Sequence, residues 1–154
     1  MDTNACRATG THDALEKARA SLKGTVCERM GMHILSLSAR EATLRMPVEP
    51  NRQPQGFLHG GATIALAETA ISLAAQTYAE GSLGEGSAAV GTSFSATHHA
   101  PAREGNVRVT AQAEHLGRTS ASYIARIHRE DGTLVSTVLG TTRLLPPRQE
   151  NSAP

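Results

Sequence analysis

The chain has 154 residues, which is enough for one domain with its own core and too few for two independent domains. Its 15 Lys and Arg residues nearly balance 14 Asp and Glu, and the charges form no long run, so a polyanionic partner or an anionic membrane is not expected. Trp is absent, and two Phe and two Tyr offer little surface on which bases could stack, which argues against nucleic-acid binding.

The beginning of the chain, MDTNACRATGTHDALEK, contains no apolar segment of the kind found in signal peptides. Nowhere does the sequence hold the run of about 18 apolar residues that a membrane helix needs. We therefore expect a cytoplasmic protein. Cys6 and Cys27 form no CxxC pair, and free thiols are expected rather than a disulfide or a zinc site.

The two ends of the chain differ from the part between them. Residues 1–11 and 146–154 are small and polar, so both segments are predicted to be flexible tails around a single domain over residues 12–145. Asp13 followed by Glu16 resembles a capping box, and Gly24 suits a helix end. These signals predict a short helix over residues 13–23.

Alternating apolar residues predict two strands at 33–38 and 42–48, with Leu44, Met46 and Val48 facing the core. A loop rich in Pro and Gly over 49–58 leads to the longest helical pattern, over 60–78 and closed by Gly81. Four further strands follow, with turns at Pro101 to Gly105, at Gly117 and at Asp131-Gly132. The order predicts an α+β domain in which an antiparallel sheet of five to six strands wraps around one long central helix.

One stripe interrupts the mostly apolar surface of this predicted helix. Gly61, Ala65, Glu68, Ser72 and Gln76 recur at spacings of three and four and so share one face. Glu68 is the only charged residue between Gly60 and Ala79. Either the stripe faces water, or Glu68 is a catalytic carboxylate in an apolar cleft, because an unpaired buried carboxylate is costly.

The start of the same helix carries the triplet His59-Gly60-Gly61. Two glycines at this place leave backbone N–H groups open, and together with the helix dipole they form a potential oxyanion site, although glycines also occur there for packing alone. Glu68 lies eight residues after Gly60, or about 12 Å along the axis. If both serve one reaction, Glu68 must meet Gly60 of another subunit, which predicts a homodimer with antiparallel helices.

The segment NRQPQGFLHGGATIALAE, residues 51–68, resembles the signature of the hot-dog thioesterases. The similar group is the Glu-type, which includes the 4-hydroxybenzoyl-CoA thioesterase of the Arthrobacter type and the 1,4-dihydroxy-2-naphthoyl-CoA thioesterases. Gln53, the His-Gly-Gly triplet and Glu68 carry the resemblance, and the strand order agrees over residues 24–145. The resemblance implies the hot-dog fold.

The resemblance also implies roles. Glu68 would be the nucleophile or general base, and the Gly60 amide would polarise the thioester carbonyl. Gln53 and His59 would hold the carbonyl or the leaving thiolate, and Ser72 would assist Glu68. Other positions would contact the acyl group, the pantetheine arm or the CoA phosphates: Gly61, His98, Thr119, Ser120, Arg103, Arg118 and Arg148.

The implied reaction is hydrolysis of an acyl-CoA thioester without metal or redox cofactor. The acyl group would be aromatic, such as hydroxybenzoyl or hydroxynaphthoyl, or a β-keto acyl group. A homodimer would be the minimal active unit and a homotetramer the full assembly. The sequence departs from the pattern of this thioesterase group at two positions. Ser72 stands where some members have Thr, and Ala100 stands where several have a basic residue. No Asp lies between Gly60 and Ala79, so the sister group with a catalytic Asp on this helix is excluded.

Two other functions fit the same fold: a hydratase or dehydratase of acyl thioesters, and an acyl-CoA-binding module without catalysis.

The single site residues also have interpretations that involve no catalysis or binding. Gln53 would be a turn residue and His59 only a helix cap, while His98 would end a strand. Thr119 and Ser120 would be strand formers, and Arg148 a solvated side chain.

Overall fold

The computed structural model describes residues 5–148, with side chains described from residue 13 onward. Helix α1 (Ala5–Ser21) and the short helix α2 (Val26–Arg29) precede strands β1 (His33–Leu37) and β2 (Glu41–Pro47). A 3-10 turn (Glu49–Asn51) leads to the central helix α3 (Gly60–Leu83). Four strands follow: β3 (Ala88–His98), β4 (Asn106–Leu116), β5 (Ser120–Arg129) and β6 (Leu134–Leu145).

The six strands form one antiparallel sheet in the order β1-β2-β4-β5-β6-β3. Strand β3 follows α3 in the chain but lies at the far edge, paired only with β6. Helix α3 packs on one face of the sheet and contacts β2, β3, β4, β5 and β6. The predicted architecture is therefore confirmed, with six strands around one helix.

The core lies between α3 and the concave face of the sheet. Alternate residues of β2 point inward, and Leu44 and Met46 are fully buried together with Val48, as the alternation predicts. From α3 come mainly alanines with Leu66 and Ile71, all fully buried. Small helix residues let the sheet approach the helix axis closely, which explains the high alanine content of this segment.

Helix α1 begins at Ala5, earlier than the predicted start at residue 13, so residues 5–11 of the expected tail are helical. Glu16 does not serve a capping box. It forms an ion pair with Arg19 (2.7 Å), one turn further along the same helix. Residues 1–4 and 149–154 of the two predicted tails lie outside the described residues.

Helix α3 continues beyond the predicted stop at Gly81, which is a helical residue. The helix ends at Gly84, whose φ of 97° is a conformation that favours glycine. The predicted stop at Gly81 therefore lies three residues before the observed one at Gly84. Within the described residues, no helix is long and apolar enough to cross a membrane.

Candidate active site

His59 caps the amino end of α3. Its backbone is extended (φ −67°, ψ 131°), and its Nδ1 accepts a hydrogen bond from the Gly61 amide at 2.8 Å. The His59 carbonyl accepts from the Thr63 amide and closes the first turn. Since Nδ1 acts as an acceptor, the ring carries its hydrogen on Nε2.

The two glycine amides at this end therefore differ. The Gly61 N–H is taken by His59, so the expectation that both amides are open is wrong. The Gly60 N–H has no acceptor among residues 5–148. Gly60 is the first residue of the helix, where an open amide combines with the positive end of the helix dipole.

His98, the last residue of β3, lies over Gly60. A methyl group at Gly60 would come 2.8 Å from His98 Nε2, so only glycine leaves room for the ring. His98 Nδ1 lies 2.7 Å from Ser136 Oγ on the neighbouring strand β6. Gly60, His98 and Ser136 line a cavity of about 360 Å³ together with Phe57, Thr63 and Arg103, among others.

The loop before α3 is tied to the rest of the domain. The buried Asn51 donates from Nδ2 to the carbonyls of Met30 and Pro47, both at 2.8 Å. Gln53 Oε1 accepts from the Gln55 amide at 2.9 Å, so this side chain stabilises its own turn while its amide nitrogen has no partner in the described chain. Arg103 places its guanidinium 5.6 Å from the centre of the Phe57 ring.

Glu68 lies two turns further along α3 and is exposed in the single chain. A methyl group at Gly91 of β3 would lie 3.6 Å from Glu68 Oε1, which places the carboxylate beside this edge strand. Within the described residues Glu68 forms no hydrogen bond or ion pair, and Ser72 does not bond to it. In one subunit, then, the polar stripe faces outward.

Phe94 fills the space beside Glu68. Its ring atoms would lie 2.6 Å from a methyl group at Gly91 and 2.8 Å from one at Gly140, so both glycines make room for it. Strand β3 has an irregular register between Gly91 and Ser93, which turns the strand at this point. Carboxylate and aromatic ring are thus neighbours at the edge of the sheet.

Four of the predicted contact residues lie elsewhere. Thr119 and Ser120 precede and begin β5, at the end of the sheet opposite Gly60. Arg118 lies in the same turn, and Arg148 follows β6 at that end. One subunit therefore brings together Gly60, His98 and Arg103, and it keeps Glu68 and these four residues apart from them.

The sequence reasoning passed over Ser136, Phe94 and Gly91. A usable signal existed for Ser136, because it occupies an inward position of β6 between the buried Val138 and the β5–β6 turn, where a polar side chain needs a partner. Phe94 and Gly91 contact residues of α3 and β6. Such contacts join distant segments of the chain, so no local sequence pattern predicts them.

Comparisons with known proteins identify the family of this chain. A family model described as the thioesterase superfamily matches residues 55–136, from the loop before α3 to Ser136. The proofreading thioesterase EntH of Klebsiella pneumoniae is 39% identical over 132 residues, which cover 84% of this chain and 93% of that protein.

Two solved structures share the fold. Thioesterase HI1161 of Haemophilus influenzae superimposes with a TM-score of 0.81 and 30% identity, covering 89% of this chain and 94% of that one. A variant of thioesterase SAV0944 of Staphylococcus aureus, with a glutamine replaced by alanine, gives a TM-score of 0.74 at 30% identity over 79% of this chain and 98% of that one. The chain belongs to the thioesterase superfamily, has its hot-dog fold, and is a thioester hydrolase.

Proposed function

We propose that this protein hydrolyses acyl-CoA thioesters with an aromatic acyl group, such as hydroxybenzoyl or hydroxynaphthoyl, at sites shared between two subunits. The Gly60 amide of one subunit polarises the thioester carbonyl. Glu68 of the other subunit either attacks the carbonyl carbon or removes a proton from the attacking water. Water, the thioester and the chain's own groups suffice for these steps, and no metal or redox cofactor takes part.

The observation that carries the proposal is the position of strand β3. It holds Gly91 beside Glu68 near one end and His98 over Gly60 at the other. No strand among residues 5–148 pairs with its outer edge, which is 11 residues long, and a free edge of this length is a template for another strand. If two copies pair antiparallel about a point between Phe94 and Ser95, Gly91 of one subunit lies opposite the partner's His98.

This pairing would solve the distance problem. Glu68 and Gly60 of one chain are about 12 Å apart along the helix, too far to act on one carbonyl. Across the paired β3 strands, Glu68 approaches the partner's Gly60, and two equivalent sites result. The homodimer would then be the minimal active unit, and we propose a dimer of dimers as the full assembly.

Other polar side chains near Gly60 and Glu68 would assist the reaction or bind the substrate. His59 and Gln53 flank the helix start and present an Nε2–H and a free amide group to the carbonyl oxygen or the leaving thiolate. Ser72 lies one turn from Glu68 and would orient the attacking water. Among the cations, Arg103 borders the cavity of Gly60 and is the best placed for a CoA phosphate.

Arg118, Arg148, Thr119 and Ser120 lie at the opposite end of the subunit, so they would reach the same substrate only from the partner. An aromatic acyl group is supported by Phe94, whose ring stands beside Glu68 and can pack edge-to-face against an aryl ring. The relatives support the roles of Gln53 and Glu68. SAV0944 was solved with a glutamine and, separately, a glutamate replaced by alanine, at the same interval as Gln53 and Glu68 here.

The substrate class is tested with a panel of aromatic, β-keto and straight-chain acyl-CoA esters, with release of free thiol as the measurement. We expect the highest kcat/KM for hydroxylated aromatic esters. Preference for straight chains would contradict the aromatic assignment. Hydration of an enoyl-CoA without thiol release would identify a hydratase, and binding of all esters without turnover would identify a binding module.

The shared site is tested with mixed dimers. One subunit carries Glu68→Gln and the other carries Gly60→Pro, which removes the amide hydrogen. If the site is shared, each mixed dimer keeps one site with both groups intact and regains activity that neither homodimer has. If each site lies within one subunit, every site retains one defect and no activity returns. Oxygen-18 found in Glu68 after a single turnover in labelled water would mark the nucleophilic route.

A further inference from the structure

Ser136 is one of two buried polar residues in the inward-facing row of β6, and the other, Thr142, donates its hydroxyl to the Ala121 carbonyl. Ser136 is fully buried and lies directly opposite His98 in the strand register. Its Oγ is 2.7 Å from His98 Nδ1, and this ring nitrogen is the one hydrogen-bond partner of Oγ among the described residues. Neither Ser136 nor its hydrogen bond has a part in the reaction scheme above.

The direction of this hydrogen bond follows from the burial of Ser136. If Nδ1–H were the donor, the hydroxyl hydrogen of Ser136 would be left buried without an acceptor, which costs about 1–3 kcal/mol. If the hydroxyl donates to Nδ1, both groups are satisfied. The second arrangement places the ring hydrogen of His98 on Nε2.

His98 Nε2 is the ring atom closest to the helix start. It would lie 2.8 Å from a methyl group at Gly60, and it borders the same cavity as the open Gly60 amide. His98 itself is exposed, so its Nε2–H is accessible to a bound substrate. Two donors, one from the backbone and one from the ring, thus stand side by side at the amino end of α3.

We propose that Ser136 is a positioning residue that holds His98 in the Nε2–H tautomer, so that this N–H and the Gly60 amide donate together to the thioester carbonyl oxygen. The inference rests on the proposed function, because it takes the carbonyl oxygen to bind at Gly60. Two preorganised donors stabilise a developing oxyanion more than one, and loss of a single donor typically costs about 10²–10³-fold in kcat.

The tautomer can be tested without any substrate. Long-range nitrogen–proton NMR spectra distinguish a ring nitrogen that carries hydrogen from one that does not. We expect His98 of the parent protein to carry hydrogen on Nε2, and His98→Gln assigns the signals. Hydrogen on Nδ1 in the folded parent protein would overturn the proposal.

The role of Ser136 is tested with a matched pair of similar shape. Ser136→Thr keeps the hydroxyl, and we expect it to retain the tautomer and near-parent kcat. Ser136→Val lacks the hydroxyl, and we expect a mixture of tautomers with kcat lower by about tenfold. Equal kcat and equal tautomers in both variants would overturn the proposal even if each is somewhat less stable than the parent.

A double variant separates positioning from packing. The terminal amide of His98→Gln supplies an N–H without help from Ser136, so adding Ser136→Val to it should cause no further loss of kcat. A further tenfold loss in this background would show that Ser136 acts on stability or shape, and not through His98. If the parent has the expected tautomer but hydrolyses no thioester in the panel, the proposed function and the donor role both fail while the tautomer assignment stands.

Discussion

The two ends of strand β3 are built differently. At the His98 end, the ring is hydrogen-bonded to a fully buried serine and packs over a glycine that leaves no room for a methyl group. At the Gly91 end, Glu68 is exposed and unpartnered within the described chain, next to an irregular stretch of the strand. At the His98 end, called the complete end, the side chains have their partners within one subunit. At the Gly91 end, called the open end, Glu68 has no partner in the described chain.

The difference indicates which groups of the site are oriented within one subunit and which depend on a second subunit. Backbone amides at a helix start are oriented by the helix itself, and a histidine is oriented by one hydrogen bond, so that half of a site needs no second chain. A lone carboxylate on a helix surface is solvated and has no fixed environment. Pairing of the two β3 edges would remove water from Glu68 and bring it near the partner subunit's Gly60 amide, where the thioester carbonyl is proposed to bind.

The largest effect is expected at the open end. Glu68→Gln keeps the shape and removes the carboxylate, so kcat should fall by about 10²–10⁴-fold. Thiol release from the best ester measures the loss, and size-exclusion chromatography should show an unchanged assembly. Near-normal turnover of this variant would contradict the assignment of Glu68.

The complete end is tested with two substitutions at Gly60. Gly60→Ala adds a methyl group against His98 Nε2 but keeps the N–H. Gly60→Pro also removes the N–H, and proline suits this place because it is favoured at the first helical position and His59 is already extended. We expect the proline variant to have kcat about 10²–10³-fold below the alanine variant. Equal kcat in both would show that the amide is not a donor.

A smaller effect is expected from crowding beside Glu68. Gly91→Ala would press a methyl group against the Phe94 ring at 2.6 Å, and the same ring also packs closely on Gly140, which limits how far it can shift. We expect a loss of about 1–3 kcal/mol in the free energy of unfolding, measured with urea. Phe94→Ala in the same chain should make Gly91→Ala nearly neutral.

Gly81→Ala is the matched control for that prediction, because its methyl group would meet nothing within 4 Å and Gly81 is helical. It should raise the free energy of unfolding by about 0.5–1 kcal/mol. A similar loss in both alanine variants would show that backbone effects, and not the crowded ring, decide the result.

The smallest effect is expected in the core, away from both ends of β3. Tyr123 donates from its hydroxyl to the Ala39 carbonyl at 2.8 Å, and burial, with a lesser contribution from Tyr78, raises its pKa from 10.0 to about 12. Tyr123→Phe should cost about 0.5–1.5 kcal/mol in the free energy of unfolding near neutral pH and leave kcat unchanged.

The pH dependence of that variant has a defined sign. The unfolded chain loses the Tyr123 proton near pH 10 and the folded chain near pH 12, so the stabilisation is present below pH 10 and lost as the pH rises toward 12. Thermal unfolding should show the parent losing stability faster than Tyr123→Phe over this range. Parallel curves would contradict the raised pKa.

Much of the fold could be predicted because its signals are local. Alternation placed Leu44, Met46 and Val48 in the core, and the turns at Gly105 and Gly132 have the positive φ values that their glycines favour. The start of α3 was also predicted correctly. Its end was not, because a helix tolerates an interior glycine at a modest cost, so Gly81 did not mark the stop, which is at Gly84.

The candidate site was predictable only in part. Glu68, His59 and Gly60 stand out as residue types at a fixed spacing, and the helical rise by itself separates Glu68 from Gly60. That Gly61 has no open amide depended on the rotamer of His59. That Gly91 and Phe94 border Glu68 depended on how α3 crosses the sheet, which spacing along the chain does not contain.

By itself, then, the sequence determined the element order, the inward faces and the two chemical groups on one helix, because these follow from periodicity and from residues close together in the chain. Only the tertiary structure decided that β3 crosses to the sheet edge and touches both groups, and that Ser136 reaches His98 over 38 residues. Contacts of this kind arise from packing between distant segments, and no local preference encodes them.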